Sequence, residues 1–270
     1  MDLHMKGKAA VVAGGSTGIG FATALCFLEE GCKVAVFARN AEKLETAREQ
    51  FASLGYKDVM TGSADATLEE AVNKFAADVV ERFGTIDYWV NVAGGSLRKS
   101  LNKVTNEEFD KVVAINLKSA FFGCNAAARY MKKNEKGGAI VNVSSMAAHR
   151  AAAGRALYGC TKAALLQLTK VFAAELSPFG IRVNSVSPGL VLTELSRPVV
   201  PEENSPEFAA FFTEYLIKRP GQAREVAAPI VSMCSDVFGY TTAADLRVDG
   251  GVDAVYEMKW IEENIELLRE

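Results

Sequence analysis

The sequence predicts an α/β protein: one doubly wound, parallel, seven-stranded sheet with helices on both faces. Three observations carry this. Short apolar runs alternate with segments of helical periodicity along most of the chain. The first run ends in a glycine-rich loop that opens a helix. The length, 270 residues, suits one undivided α/β domain spanning residues 1–270.

The elements follow in order. Ala9 to Ala13 is a short apolar run, closed by Gly14-Gly15-Ser16-Thr17-Gly18-Ile19-Gly20. A helical pattern through Phe21, Leu25, Phe27 and Leu28 comes next. Strand, glycine loop and helix begin a nucleotide-binding βαβ unit, because glycines admit a pyrophosphate and the helix N-terminus favours its charge. Lys33 to Ala38 is the second strand, and Asn40 caps a helix running to Leu54. An acid about 20 residues past the glycines holds the ribose 2′-hydroxyl of NAD. Here Ala38-Arg39 stands instead. A guanidinium binds phosphate in a bidentate fork, so Arg39 favours NADP(H) over NAD(H), while Glu42 pulls the other way.

Val59 to Ala64 is the third strand, ending at Asp65-Ala66. Thr67-Leu68-Glu69-Glu70 has the spacing of a capping box and predicts a helix to about Phe83. Ile86 to Val92 is the fourth strand, closed by Ala93-Gly94-Gly95. A second capping box, Thr105 to Glu108, opens a long helix with Asn116 inside it. Ala139 to Val143 is the fifth strand, with Ser144-Ser145 at its carboxyl end, where ligands sit in such sheets. The helix from about Leu157 to Leu176 carries Tyr158 and Lys162, four apart and on one face. A cation beside a phenol favours the phenolate, so the pair can share a proton task.

Ile181 to Val186 is the sixth strand, turned by Pro188-Gly189 into Leu190-Val191-Leu192-Thr193. Residues 194–221 break the alternation, with four prolines and the aromatics Phe208, Phe211, Phe212 and Tyr215. An insertion of this length is read as a substrate lid. Ala223 to Ser235 is a helix, and Leu246 to Val248 the seventh strand. Residues 254–270 read as a helical extension, amphipathic from Tyr256 to Glu270.

Composition excludes several classes. Net charge is −3 with no long basic run, so neither a nucleic acid nor an anionic membrane is an expected partner. Five scattered cysteines without C-x-x-C spacing read as free thiols in a reducing compartment. With only His4 and His149, no Cys/His metal site is expected. The N-terminus lacks a signal-peptide core and no apolar run approaches a membrane span, so the cytoplasm is the expected location.

Taken together, Gly14-x-x-x-Gly18-x-Gly20, Asp65, Asn91-Val92-Ala93-Gly94, Asn116, Ser145, Tyr158-x-x-x-Lys162, Pro188-Gly189 and Asp249-Gly250-Gly251 resemble the short-chain dehydrogenase/reductase family, in its compact branch. The resemblance spans roughly residues 6–253. It departs at Val92, where the family usually has a second asparagine, and at Thr17, where some NADP-dependent members have a basic residue.

The resemblance implies a Rossmann-like oxidoreductase moving hydride between a nicotinamide and a ketone or secondary alcohol. It makes Tyr158 the general acid/base and Lys162 the cation that lowers its pKa and holds the nicotinamide ribose. Ser145, thirteen residues before the tyrosine, holds the substrate oxygen, and Asn116 a relay water. The loop Gly14, Ser16, Thr17, Gly18, Ile19 and Gly20 takes the pyrophosphate. Asp65, with Ala66, takes the adenine edge, and the Asn91 backbone, with Ala93 and Gly94, the adenosine ribose. The Val191 backbone and Thr193 take the carboxamide, with Pro188 and Gly189 beside them.

Ser145, Met146, His149, Tyr158, Leu190, Leu195 and Phe212 are the expected substrate contacts. Their mostly apolar character points to a hydrophobic or cyclic ketone such as a steroid. A 3-oxoacyl thioester, a sugar or polyol, and a catalytically silent nucleotide-binding scaffold are the alternatives. A homodimer or homotetramer formed through the helices around Asn116 and Tyr158 is the expected assembly.

Overall fold

The structure, a computed structural model, describes residues 2–151, 153–194 and 196–254. Leu195 and the predicted helix from Tyr256 to Glu270 lie outside the described residues.

Seven parallel strands form one sheet: β1 (Ala9–Ala13), β2 (Lys33–Ala38), β3 (Met60–Ser63), β4 (Tyr88–Asn91), β5 (Gly138–Val143), β6 (Ile181–Pro188) and β9 (Asp245–Val248). Their order is β3-β2-β1-β4-β5-β6-β9. The chain therefore winds outwards one way to β3, returns to β4 beside β1, and winds the other way. That reversal opens a crevice at the carboxyl ends of β1 and β4, which is where this class of sheet binds ligands.

Each face of the sheet is covered, so the central strands are apolar on both sides. Along β1, Ala10 and Val12 enter one layer and Val11 and Ala13 the other. The first layer is packed by α1 (Gly18–Glu29), α2 (Ala41–Ser53) and α8 (Ala223–Cys234), with Phe27, Phe51 and Ile230 fully buried. The second is packed by α3 (Glu69–Phe83), α5 (Ser119–Met131) and α6 (Ala156–Leu176) around Phe37, Phe75, Trp89 and Met131. Buried polar groups are paired inside the sheet. Asn91 Oδ1 accepts from Trp89 Nε1 at 2.8 Å, Asn91 Nδ2 donates to Asn142 Oδ1 at 2.8 Å, and Asn142 Nδ2 donates to Thr169 Oγ1 at 3.0 Å.

Two helix starts differ in how they are held. Thr105 and Glu108 form the predicted capping box at α4 (Asn106–Val113). Thr67 does not cap α3; the N-cap is Leu68, without a side-chain bond. The reason is Asp65, whose Oδ1 accepts from both the Thr67 amide and the Thr67 hydroxyl at 2.8 Å. That local turn engages the threonine first. The long helix around Asn116 is also not regular. Residues Ala114–Lys118 form a π turn between α4 and α5.

Beyond β6, a short strand β7 (Val191–Leu192) pairs in parallel with β8 (Gly221–Gln222). This pair ties together the two ends of the 194–221 insertion. Between them stand a 3₁₀ turn, Arg197–Val199, and a one-turn helix α7 (Pro206–Phe211) whose N-cap Ser205 accepts from the Phe208 amide at 3.0 Å.

Candidate active site

A cleft of about 610 Å³ lies over the carboxyl ends of β1 to β4. Its floor is the loop Gly14, Ser16, Thr17, Gly18, Ile19 and Gly20. The loop is tight for a physical reason. A Cβ at position 20 would sit 2.1 Å from the Gly14 carbonyl oxygen, and one at position 14, where φ is +85°, 2.7 Å from the Ala93 amide nitrogen. Bare backbone therefore faces the cleft at the N-terminus of α1, with the N-cap Thr17 leaving the first-turn amides free of a side-chain cap. An anionic pyrophosphate fits such a cradle.

The other walls come from Phe37, Ala38, Arg39, Asn40 and Lys43, from Ala64 and Ala66, from Val92, Ala93, Gly94 and Ile115, and from Thr193 and Glu194. Arg39 is exposed at the rim. Several of the other residues expected at the cofactor do not line the cleft, and for Asn91 and Val191 the expected contact is through the backbone. Asp65 does not line the cleft, and its Oδ1 closes the Thr67 turn. The Asn91 side chain is buried in the sheet beneath it. Pro188 and Val191 are buried and Gly189 backs onto Asp249, so of the β6–β7 turn only Thr193 reaches the cleft.

At one end of this cleft Gly94 meets the predicted catalytic residues. A Cβ at Gly94 would lie 3.0 Å from Asn116 Oδ1 and 3.4 Å from Lys162 Nζ. The π turn presents Asn116 to the loop after β4. Its Oδ1 accepts from the Gly95 amide at 3.0 Å, and its Nδ2 donates to the Gly95 carbonyl at 2.8 Å and the Val112 carbonyl at 3.1 Å. Lys162 is buried and donates to the Val143 carbonyl, the last of β5, at 2.8 Å. Its Nζ stands 5.9 Å from the centre of the Tyr158 ring. Ser145, two residues past β5, hydrogen-bonds Tyr158, and its Oγ accepts from the Ala147 amide at 3.1 Å. Ser144 points away, donating to the Lys162 carbonyl at 3.0 Å. Strand alternation thus separates the two serines as predicted.

The electrostatics are set by burial more than by the pair itself. Desolvation pushes the Lys162 ammonium down to about 8. The Tyr158 phenol is raised by desolvation, against which the Ser145 hydrogen bond and the Arg155 charge act. Lowering of the phenol by Lys162, expected from the sequence, is not the dominant effect among the protein groups. The ammonium bonds the Val143 carbonyl and lies beside the ring.

Three predicted substrate contacts are corrected by their surroundings. His149 Nε2 sits 2.9 Å from Asp245 Oδ2 and 3.2 Å from Ser187 Oγ, pinning the loop to β6 and β9. Phe212 is fully buried amid Phe208, Phe211 and Tyr215 and forms the core of the insertion. Leu190 belongs to a separate cavity of about 110 Å³ with Tyr215 and Ile217. Met146 begins the 3₁₀ turn that follows Ser145. Conversely, Lys43 and Glu194 line the cleft unforeseen. Lys43, one turn into a helix that Asn40 caps beside the cleft, had a local signal. Glu194 comes from 151 residues further on and had none.

Comparison with known proteins gives concordant matches. The sequence profile described as enoyl-(acyl carrier protein) reductase matches residues 13–253. The L-rhamnose-1-dehydrogenase of Scheffersomyces stipitis is 34% identical over 252 residues, covering 92% of this chain and 96% of that protein. The 3alpha-hydroxysteroid dehydrogenase of Mediterraneibacter gnavus is 34% identical over 252 residues, covering 93% and 98%. The crystal structure of a short-chain type dehydrogenase/reductase from Mycobacterium marinum superimposes with a TM-score of 0.87 at 32% identity, covering 94% of this chain and 98% of that one.

Proposed function

The chain belongs to the short-chain dehydrogenase/reductase family, whose members use NAD(H) or NADP(H) on alcohols and ketones, and from that premise we propose that it interconverts a hydrophobic or cyclic ketone and its secondary alcohol, with NADP(H) preferred. The observation that carries this reading is Gly94, which lines the cleft and where an added Cβ would lie 3.0 Å from Asn116 Oδ1 and 3.4 Å from Lys162 Nζ. A nucleotide in the cleft and a proton-transfer group at its end are thereby neighbours.

The dinucleotide, when bound, supplies or accepts the hydride. The residues that fit it are the loop Gly14 to Gly20 for the pyrophosphate, Arg39 for a 2′-phosphate, Ala66 beside the adenine, Ala93 and Gly94 along the ribose, and Thr193 towards the carboxamide. In reduction Tyr158 donates a proton to the alkoxide oxygen as it forms; in oxidation its phenolate takes one back. Ser145 orients the phenol and the substrate oxygen together. Lys162, charged below about pH 8, favours the phenolate in the low dielectric around it. Asn116 holds the Gly95 backbone, and its Oδ1 retains a second lone pair for a relay water.

The 194–221 segment acts as the lid. Phe211, Leu216 and Ile217 are exposed on it, and this apolar surface favours a bulky hydrophobic substrate over a sugar. Its five free cysteines fit the reducing cytoplasm, where we place it. Among the described residues no helix is long and apolar enough to cross a membrane. It works as a homo-oligomer joined along α4 and α6. Leu101 and Phe109 are exposed there beside an apolar groove of about 510 Å³ that also holds Leu157 and Ala164.

The test is the decay of NADPH and NADH absorbance against steroidal and cyclic ketones, 3-oxoacyl thioesters and sugar lactones, with the matching alcohols assayed in reverse. At least tenfold higher kcat/KM for steroidal or cyclic ketones, and for NADPH over NADH, is expected. A preference for sugars or for NADH overturns the corresponding half of the proposal.

A further inference from the structure

We propose that Lys43 and Glu194 form a cofactor-selective latch across the cleft. Lys43 is a second cation for the 2′-phosphate, and the phosphate takes it from Glu194. The inference rests on the NADP(H) reading of Arg39 and deepens it.

Lys43 Nζ lies 2.5 Å from Glu194 Oε2, and both side chains line the same cleft as Arg39. The bridge joins the first turn of α2 on one wall to the start of the 194–221 segment on the other. Lys43 is fixed at its root because Asn40 Oδ1 accepts from the Lys43 amide at 2.9 Å. Arg39 forms no ion pair among the described residues, and Ser63 bonds only its carbonyl. An incoming phosphate dianion therefore meets two cations and one carboxylate.

The two side chains are about half and two-thirds exposed, at 49% and 66%. An ion pair this wet is weak and readily exchanged. A phosphate binds an ammonium through charge-assisted bonds and repels the carboxylate beside it. Glu194 is thus driven off its partner by a 2′-phosphate and left in place by a 2′-hydroxyl. Its displacement acts on the turn behind it. There the Thr193 amide donates to Ser196 Oγ at 2.9 Å, Ser196 Oγ donates to the Val191 carbonyl at 2.6 Å, and the Arg197 amide donates to the Thr193 carbonyl at 2.9 Å. Glu42, the acid near the site that the sequence singled out, does not line the cleft. Glu194 supplies the opposing charge.

The probes are 2′,5′-ADP and 5′-AMP, titrated calorimetrically into the full chain without substrate. Lys43→Met is expected to weaken 2′,5′-ADP about tenfold and 5′-AMP less than twofold. Glu194→Gln is expected to tighten 2′,5′-ADP several-fold with 5′-AMP unchanged. In the wild type, 2′,5′-ADP but not 5′-AMP is expected to raise amide hydrogen exchange at 194–200. Equal effects of Lys43→Met on the two nucleotides, or none on 2′,5′-ADP, overturn the latch. Arg39→Met separates this failure from failure of the cofactor reading. If it leaves the ratio of the two affinities unchanged, NADP(H) selection by Arg39 fails. If the ratio falls with Arg39→Met and not with Lys43→Met, only the latch fails.

Discussion

Lys162 is a buried ammonium with one carbonyl partner, and its folded pKa near 8 lies below the 10.5 of the free side chain. A depressed lysine opposes folding while it is charged. Its cost is full below about pH 8 and disappears as pH rises to 10.5, so stability increases across that window. Wild type is therefore expected to gain about 2 kcal/mol over Lys162→Met between pH 8 and pH 10, measured by urea unfolding at both values. Ser145 acts on the other member of the pair. Its hydrogen bond lowers the Tyr158 phenol, so Ser145→Ala should move the acidic limb of the oxidation profile, where the phenolate is lost to protonation, to higher pH, as well as lowering kcat/KM. A limb that stays put places the bond outside the proton path. The four-residue spacing of Tyr158 and Lys162 was legible in the sequence. The weight of desolvation was not, because burial comes from distant strands and helices. His149 and Phe212 were misread for the same reason: Asp245 and the Phe208–Tyr215 cluster claim them only in three dimensions.

At the scale of elements, the glycine loop and the caps at Asn40 and Thr105 were read correctly, and the cap at Thr67 and the irregular turns were not. The strand–loop–helix at Gly14 to Gly20 is visible because only glycine tolerates the approach of Gly20 to the Gly14 carbonyl. Gly20→Ala is expected to weaken nucleotide binding more than tenfold while far-ultraviolet circular dichroism is retained. Of two similar capping patterns, the one at Thr105 forms and the one at Thr67 gives way to Asp65. Thr105→Ala should thus cost about 1 kcal/mol, whereas Thr67→Ala mainly loses the turn bond to Asp65; paired thermal or urea unfolding of the two variants checks this. The π turn at Ala114–Lys118 had no local signature beyond an asparagine in an apolar neighbourhood. Its purpose is visible only against Gly95, 21 residues earlier in the chain.

For the whole molecule, the alternation of apolar runs and helical segments was enough to predict the doubly wound sheet, and the observed strand order explains why the cleft opens beside β1 and β4. Which residues close that cleft was less legible. Glu194 reaches it from the start of an insertion whose two ends are tied by β7 and β8. The exposed apolar face along α4 and α6 belongs to this scale too. A charge at its centre should split the proposed assembly, so Phe109→Glu is expected to lower the mass measured by light scattering to that of a smaller species. An unchanged mass moves the interface elsewhere.

The proton-transfer role of Tyr158 is tested most directly by Tyr158→Phe, with turnover and NADP(H) affinity measured on the same preparation. Loss of the hydroxyl leaves the ring, Lys162 and the glycine cradle in place. Turnover should fall by about 10²-fold or more while the cofactor Kd changes less than threefold. Turnover above a tenth of wild type would contradict Tyr158 as the general acid/base.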